Sequence, residues 1–166
     1  MTITSTRSLW MLIAAASAGL ALASILLTEW LTLQPCHLCI FQRLLYMLMA
    51  PLALMAALST GLARRISGAL TALAAAGGAV TATYQAWLQA QPAGSVSCIG
   101  PDMGPIERLV EWLGMQLPSL FMATGFCEDE ALIILGLSLA QWALLCFALA
   151  LLLSLWLLVR SREEPR

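Results

Sequence analysis

Four long apolar runs constrain the fold of this 166-residue chain more than any other feature. A helix crosses about 30 Å of hydrocarbon with roughly 20 mostly apolar residues, and each run is long enough to do so. The chain is 61% hydrophobic and only 10% charged, which is too apolar for a soluble domain of this size. We therefore predict an all-α integral membrane protein, a single domain over 1–166 built as a four-transmembrane-helix bundle. The predicted spans cover about 9–33, 41–63, 66–88 and 137–159.

The placement of arginine predicts the orientation of these spans. The chain has no lysine, so arginine alone gives its loops positive charge. With four spans, all arginines except Arg43 and Arg108 fall on one side. Because cytoplasmic loops carry the excess of basic residues, both termini are predicted to be cytoplasmic, and loops 34–40 and 89–136 to lie on the opposite side. The net charge of −1 gives no indication of nucleic-acid binding.

A short amphipathic helix is predicted within the second of these loops. In "PIERLVEWLGMQL", 105–117, apolar residues recur at helical spacing, and the charged residues fall largely on the other face. Pro105 suits the first position of a helix. With Trp112 beside the apolar stripe, we interpret this segment as an interfacial helix lying on the membrane surface. The alternative is a helix packed on a small core of the loop's own.

Four of the five cysteines fall in the two loops opposite the cytoplasm. Cys36 and Cys39 lie in the first loop, and Cys98 and Cys127 lie in the second. This is the oxidising side, where disulfides form and persist. Cys146 lies within the fourth span, and we interpret it as a small packing residue because a thiol buried in hydrocarbon is unreactive.

The spacing of Cys36 and Cys39 is typical of a redox-active pair. A disulfide that closes so short a loop is readily exchanged, and the two residues inside the loop tune its reactivity. One of them is His37, which either favours a neighbouring thiolate when protonated or is simply exposed at the interface. The pair in the long loop could meet a soluble partner. The Cys36 pair, tied directly to two spans, could meet a molecule dissolved in lipid.

Arg43 follows Cys39 by one helical turn, at the mouth of a span. A charged side chain there is costly unless it snorkels, pairs or binds something polar. Beside the cysteine pair, we interpret it as a group that stabilises a Cys39 thiolate and donates hydrogen bonds to a ligand carbonyl. The sequence has no dinucleotide or flavin fingerprint and no paired histidines for haem. A diffusible membrane quinone is then the simplest electron acceptor.

At these residues the chain resembles the DsbB family, the bacterial disulfide bond formation proteins B. The segment "PCHLCIFQR", 35–43, resembles the family pattern P-C-x-L-C-x-x-x-R. Three further segments are similar to the family: "SCIGPD" in the second loop, "LPSLFMATGFC" at 117–127 and "LGLSLAQW" at 135–142. The resemblance covers nearly all of the chain, including the four spans and a cysteine pair in each of the two loops.

The resemblance implies a quinone-dependent protein-disulfide oxidoreductase of the bacterial inner membrane. It would reoxidise a periplasmic thioredoxin-fold dithiol oxidase of the DsbA kind and pass two electrons to ubiquinone or menaquinone. By position, Cys98 would form the mixed disulfide with the partner, and Cys127 would be its loop mate. Cys36 and Cys39 would form the membrane-proximal disulfide, with Cys39 facing the quinone and Arg43 holding it.

Three positions differ from the pattern of some relatives. Gln42 stands where a glutamate precedes the arginine, and Ala140 stands where a proline precedes "QW". Gln85 stands where some relatives have a histidine thought to border the quinone. By this resemblance, Gln85 is predicted to be a neighbour of the bound quinone.

The residues alone leave other functions open. Cys36, Cys39, His37 and a distant cysteine could bind zinc or copper, which would make the chain a metal-binding membrane protein. The two cysteine pairs could instead be inert staples of a small structural subunit. The enzymatic alternative is quinone chemistry of the vitamin K epoxide reductase kind, although that family places its cysteines differently along its spans.

Overall fold

The four predicted spans are helices in the computed structural model, which describes residues 3–92, 104–127, 129 and 132–163. Within these residues the chain forms six helices and one short strand pair. In chain order they are α1 Ile3–Trp30, α2 His37–Leu58, α3 Gly61–Gln89, α4 Pro105–Gln116, α5 Pro118–Phe121, β1 Ile133–Ile134, β2 Leu137–Ser138 and α6 Leu139–Glu163. By length and composition α1, α2, α3 and α6 can each cross a membrane, which confirms the predicted fold class.

The spanning helices pack in chain order, and small residues let them approach closely. α1 packs against α2, α2 against α3, and α3 against α6, whereas α1 and α6 barely touch. A side chain at Gly78 would overlap the ring of Phe147, which stacks on Tyr46 with 4.1 Å between ring centroids. Close contact at glycine is a common way for helices to associate in membranes. The bundle is therefore well packed on three sides and open between α1 and α6.

The second spanning helix begins earlier than the sequence predicts. α2 starts at His37 rather than near residue 41, because Cys36 caps its first turn. The connection expected at 34–40 is correspondingly shorter, and Cys39 lies inside the helix. A cysteine is an uncommon cap, so no local pattern marks this boundary.

The turn between the second and third spans also lies elsewhere. It was expected at 64–65, but the helices break at Ser59 and Thr60, whose backbones are extended, and Gly61 follows with φ of 59°. Arg64 therefore lies in the first turn of α3, where its Nε donates a hydrogen bond to the Ser59 carbonyl (3.0 Å). Apolar residues continue on both sides of this turn as far as Arg64, so hydropathy alone does not locate it.

The helix predicted at 105–117 is present as α4. It packs against α2 and α5, and Val110 is buried beside Ile40 and Phe121. Two of its other apolar side chains, Trp112 and Met115, remain exposed. α4 thus packs to a similar extent on a spanning helix, α2, and on α5 of its own loop. The position of α4 on a membrane surface stays a prediction.

A strand pair that the sequence did not predict precedes the last helix. β1 pairs antiparallel with β2 around a tight turn in which Leu135 and Gly136 both have positive φ. Ser138 Oγ donates to Gln89 Oε1 (2.8 Å), which ties the pair to the end of α3. Strands of two residues have no detectable periodicity. We call the end of the bundle that holds Cys36 and Gln89 the cysteine end.

Candidate active site

The two CxxC thiols lie at the start of α2, and the helix itself sets the distance between them. Cys36 is the N-cap, with an extended backbone, and its Sγ accepts a hydrogen bond from the backbone N–H of Cys39 at 3.4 Å. Cys39 lies in the first turn, so the two sulfur atoms are 3.0 Å apart. A disulfide needs about 2.05 Å between sulfurs. The pair can therefore form one with little movement of the backbone.

Cys127 of the second loop joins this pair. It is fully buried and packs in one cluster with Cys36. Hydrogen bonding with Cys127, hydrogen bonding with Cys39 and burial together raise the pKa of the Cys36 thiol. Cys36, Cys39 and Cys146 are present as thiols. Cys98, which we predict to receive the partner, lies outside the described residues.

The segment that carries Cys127 is docked on the first loop through its backbone. The N–H groups of Thr124 and Gly125 both donate to the carbonyl of Pro35, at 2.9 and 3.1 Å. The Gly125 backbone lies directly against the carbonyl oxygen of Gln34, and a Cβ at this position would overlap that oxygen. Only glycine fits this approach without displacement. The docking brings Cys127 beside Cys36, although the two are far apart in the chain.

Arg43 is buried and joins three elements. Its Nε donates to Ser24 Oγ (2.7 Å), and its Nη2 donates to Ser24 O (3.1 Å) and Thr28 Oγ1 (2.7 Å), both on α1. Its Nη1 donates to the Leu120 carbonyl in α5 (2.8 Å). The side chain does not snorkel to solvent, because only 4% of it is exposed. Arg43 thus holds α1 and α5 against α2.

Gln85, which the resemblance predicts to be a neighbour of the quinone, lies against the thiols themselves. Its Nε2 donates to Cys39 Sγ at 3.1 Å and to Cys36 Sγ at 3.5 Å. Its Oε1 accepts a hydrogen bond from Gln42 Nε2 at 2.9 Å. Both glutamine side chains are buried. The sulfur atoms therefore face a fixed amide donor from α3.

A cavity of about 470 Å³ opens beside the thiol pair. Its volume lies within the range of small-molecule sites, which are mostly apolar with a few placed polar groups. Cys39, Arg43 and Gln85 contribute such polar groups to its wall. The apolar wall comes mainly from α1 and α6, through Leu20, Ala23, Leu27, Leu139, Ala143 and Cys146. Because α1 and α6 barely touch, the cavity lies on the open side of the bundle.

Two other residues singled out in the sequence lie outside the thiol cluster. Cys146 packs against the Tyr46 and Phe147 cluster and reaches the cavity wall. His37 Nδ1 is buried and has no hydrogen-bond partner among the described residues. Among the residues that the structure describes, no three His, Cys, Asp or Glu side chains are arranged to hold a metal ion.

The family profile described as "Disulfide bond formation protein DsbB" matches residues 6–157, nearly the whole chain. The chain belongs to the DsbB family. "Disulfide bond formation protein B" of Dechloromonas aromatica (strain RCB) is 42% identical over 144 residues, which cover 86% of each chain. The protein of that name from Azoarcus sp. (strain BH72) is 36% identical over 160 residues, 94% of each chain. The one from Verminephrobacter eiseniae (strain EF01-2) is 39% identical over 166 residues, 96% of this chain and 90% of the relative.

Membership of the DsbB family confirms the resemblance that the four sequence segments indicate. The chain is a membrane-spanning oxidoreductase of disulfide bond formation. The metal-binding and vitamin K epoxide reductase-like alternatives are not favoured.

The structure brings five of the six predicted DsbB-type site residues together, namely Cys36, Cys39, Cys127, Arg43 and Gln85. Sequence reasoning did not assign Gln42 to the site, although it lies one turn after Cys39 on a buried helix face. It also missed Ser24 and Thr28. Their signal was two hydroxyls four residues apart in the otherwise apolar stretch 18–28 of α1, where they share one face.

Proposed function

We propose that this DsbB-family oxidoreductase reoxidises a soluble dithiol oxidase of the DsbA kind and passes two electrons to a membrane quinone, ubiquinone or menaquinone. One observation carries the proposal. Cys127 contacts Cys36, Cys36 contacts Cys39, and Cys39 lies in the wall of the cavity. These contacts form a path from the second loop to a lipid-accessible site.

The contacts support the following order of thiol–disulfide exchanges, which starts with Cys98–Cys127 and Cys36–Cys39 both as disulfides. A partner thiolate attacks Cys98, a mixed disulfide forms, and the electron pair of the broken bond moves to Cys127. Because Cys127 lies against Cys36, its thiolate attacks Cys36, the Cys36–Cys39 bond breaks, and the electron pair moves to Cys39.

Two further exchanges release the oxidised partner. The partner's second thiolate attacks its own sulfur in the mixed disulfide, which gives the partner disulfide and a Cys98 thiolate. Cys98 then attacks Cys127, which restores the loop disulfide and leaves Cys36 reduced beside Cys39. The partner has lost two electrons and two protons, and the Cys36–Cys39 pair has gained them.

The cavity fits an electron acceptor with a flat polar head and an apolar tail. A bound quinone supplies an acceptor for two electrons and two protons. Cys39 presents its sulfur to the cavity, and Gln85 donates to that sulfur. Arg43 has one N–H on Nη1 without a partner among the described residues, and it also lines the cavity. That N–H is the donor we assign to a quinone carbonyl.

The opening between α1 and α6 gives such a ligand a route from lipid. The two helices supply opposite walls of the cavity and barely touch each other. Leu20 and Ala23 on one side and Ala143 on the other would line this route with apolar side chains. The acceptor would enter sideways from the bilayer without crossing the aqueous loops.

We place the protein in the bacterial inner membrane, with both termini in the cytoplasm and the cysteine end in the periplasm. The excess of arginine near the termini and near Ser59 supports this orientation. So does the chemistry, because disulfides persist in the periplasm and not in the cytoplasm. The exposed apolar side chains of α4 would then face the outer leaflet surface.

Quinone reduction tests the proposal directly. A reduced DsbA-like protein is added to the full-length chain in lipid nanodiscs that contain ubiquinone or menaquinone, and the quinone absorbance is followed. We expect reduction with the wild-type chain and none with Cys39→Ser, because Cys39, which lies in the cavity wall, is the sulfur that receives the electron pair in the proposed path. Ser154→Ala, a buried hydroxyl in the other half of the bundle, is the control. Undiminished reduction by Cys39→Ser would refute the proposed path.

Trapping of the partner tests the first step separately. A DsbA-like protein that lacks its resolving cysteine should remain disulfide-bonded to Cys98, as identified by peptide mass spectrometry. Trapping on Cys36 instead would show that the second loop is not the entry point for electrons.

A further inference from the structure

Gln42 and Gln85 form a buried chain of hydrogen bonds that ends on the reactive sulfurs. Gln42 comes from α2 and Gln85 from α3, and their side chains are 5% and 3% exposed. Gln42 Nε2 donates to Gln85 Oε1 (2.9 Å), and Gln85 Nε2 donates to Cys39 Sγ (3.1 Å). Two polar side chains placed inside an apolar bundle are costly unless each is satisfied.

The donor from Gln42 decides which end of the Gln85 amide faces the sulfurs. An amide has an acceptor end and a donor end of nearly the same shape. The acceptor end of Gln85 is occupied by the Gln42 N–H, so the donor end points to Cys39 and Cys36. Turned the other way, the amide would present a carbonyl oxygen to Cys39, which repels a negatively charged sulfur.

The amide donates at the atom where charge develops. In the exchange that opens the Cys36–Cys39 disulfide, the electron pair moves to the Cys39 sulfur. Four N–H groups of Arg43 are directed to α1 and α5. Gln85 is the side chain whose N–H is directed at the sulfur itself. A neutral amide does not titrate, so its hydrogen bond is present at every pH at which the protein is folded.

We propose that Gln85 stabilises the Cys39 thiolate through its amide N–H, and that Gln42 is the positioning residue that keeps this amide turned toward the sulfur. This inference deepens the proposed function, since it assigns how the leaving sulfur of that path is stabilised. It gives Gln85 a role on the thiols in addition to any contact with the electron acceptor.

The rate at which Cys39 reacts with iodoacetamide tests this assignment without quinone or partner. The reduced full-length chain in nanodiscs is alkylated at fixed pH, and modification of Cys39 is followed by peptide mass spectrometry. Hydrogen bonds to charged groups are worth enough for about a 10-fold to 100-fold change in such a rate. We expect Gln85→Met to slow alkylation of Cys39 by that factor and Gln42→Met to slow it by a smaller one.

A double-mutant cycle separates positioning from packing. If Gln42 acts through Gln85, the variant with both substitutions should react at the rate of Gln85→Met alone. Thr81→Val is the matched control: Thr81 lies one turn before Gln85, and its hydroxyl bonds only carbonyls of its own helix. We expect its alkylation rate to equal that of the wild type.

Two outcomes would overturn the inference. One is a wild-type rate of Cys39 alkylation in Gln42→Met, and the other is a double variant whose slowing is the product of the two single factors. If Gln42→Met does not fold, Gln42→Asn keeps a buried amide that is too short to reach Gln85, and the same expectations apply to it. If the variants show this cycle but the wild-type chain reduces no quinone, the proposed function is contradicted. The role assigned to Gln42 and Gln85 at the Cys39 sulfur would then still stand.

Discussion

The two ends of the bundle use polar side chains in different ways. At the cysteine end, polar side chains bridge separate elements, as Arg43 does between α2, α1 and α5, and Gln42 between α2 and α3. At the opposite end, the buried hydroxyls of Ser67 and Thr71 bond carbonyls of their own helix. There the helices meet through apolar side chains such as Trp10. Apolar packing therefore holds the helices together at that end, whereas bridging hydrogen bonds at the cysteine end join the helices and place the thiols and the second loop.

Of the substitutions that test this contrast, replacement of Arg43 should cause the largest loss of stability. Arg43→Met removes four hydrogen bonds between elements, and each hydrogen bond from a charged group contributes about 1.5–3 kcal/mol, although such values do not simply add. We expect at least about 3 kcal/mol of lost stability on denaturation with sodium dodecyl sulfate. Thr71→Val, at the opposite end, should cost about 0.6 kcal/mol or less, because its hydroxyl bonds only its own helix.

Equal losses in Arg43→Met and Thr71→Val would mean that the two ends are stabilised in the same way. The contrast drawn from their hydrogen bonds would then be wrong.

Replacing Gly125 should disturb the docked loop and leave the helices intact. In Gly125→Ala the new Cβ overlaps the carbonyl oxygen of Gln34, and overpacking of this kind costs about 1–3 kcal/mol. We expect formation of a Cys36–Cys127 cross-link under mild oxidation to fall about 10-fold. The measurement is made with Cys39 and Cys98 replaced by serine. Gly19→Ala is the matched control, because a Cβ there meets nothing within 4 Å.

A cross-link yield in Gly125→Ala equal to that in Gly19→Ala would show that backbone docking does not position Cys127. Helix content, followed by circular dichroism, should be the same in both variants.

Alkaline pH should loosen the cysteine end more than the rest of the bundle. The pKa of the Cys36 thiol is raised by hydrogen bonding with Cys127 and Cys39 and by burial, so the folded state holds this proton more tightly than the unfolded chain. Its contribution to stability is complete below the ordinary thiol pKa of about 8.5 and declines as pH rises above it. We expect the reduced protein to lose about 1.4 kcal/mol per pH unit in that range.

Hydrogen exchange locates the alkaline effect. Protection factors, which correct for the rise of the intrinsic exchange rate with pH, should fall above pH ~8.5 in the first turn of α2 and at Thr124, and they should not fall in Cys36→Ser. A uniform loss of protection along α3 would show that the titrating group lies elsewhere.

The four spans could be predicted because hydrophobic length is a property summed over many residues. The exact breaks could not, because apolar residues continue on both sides of Ser59 and Thr60, and Cys36 is an unusual cap. The thiol pair and Arg43 could also be predicted, since they lie within one short motif whose helical spacing is known. The amphipathic pattern of 105–117 predicted α4 for the same local reason.

The contacts between distant parts of the chain could not be predicted. No local pattern places Cys127 against Cys36, because that contact depends on the backbone of Thr124 and Gly125 meeting a carbonyl in the other loop. The role of Gln42 was hidden for a similar reason. In the sequence, Gln42 only interrupts an apolar helix face, and its role is evident only once its partner on α3 is known.

The cap of α2 links electron transfer to the winding of a helix. The Cys36 sulfur is the acceptor for the Cys39 amide, so any new bond that draws this sulfur toward Cys127 withdraws it from the helix end. Losing a cap costs about 1 kcal/mol. Each catalytic cycle should therefore partly unwind and re-form the first turn of α2. An infrared label on the Cys39 carbonyl would detect this change during turnover.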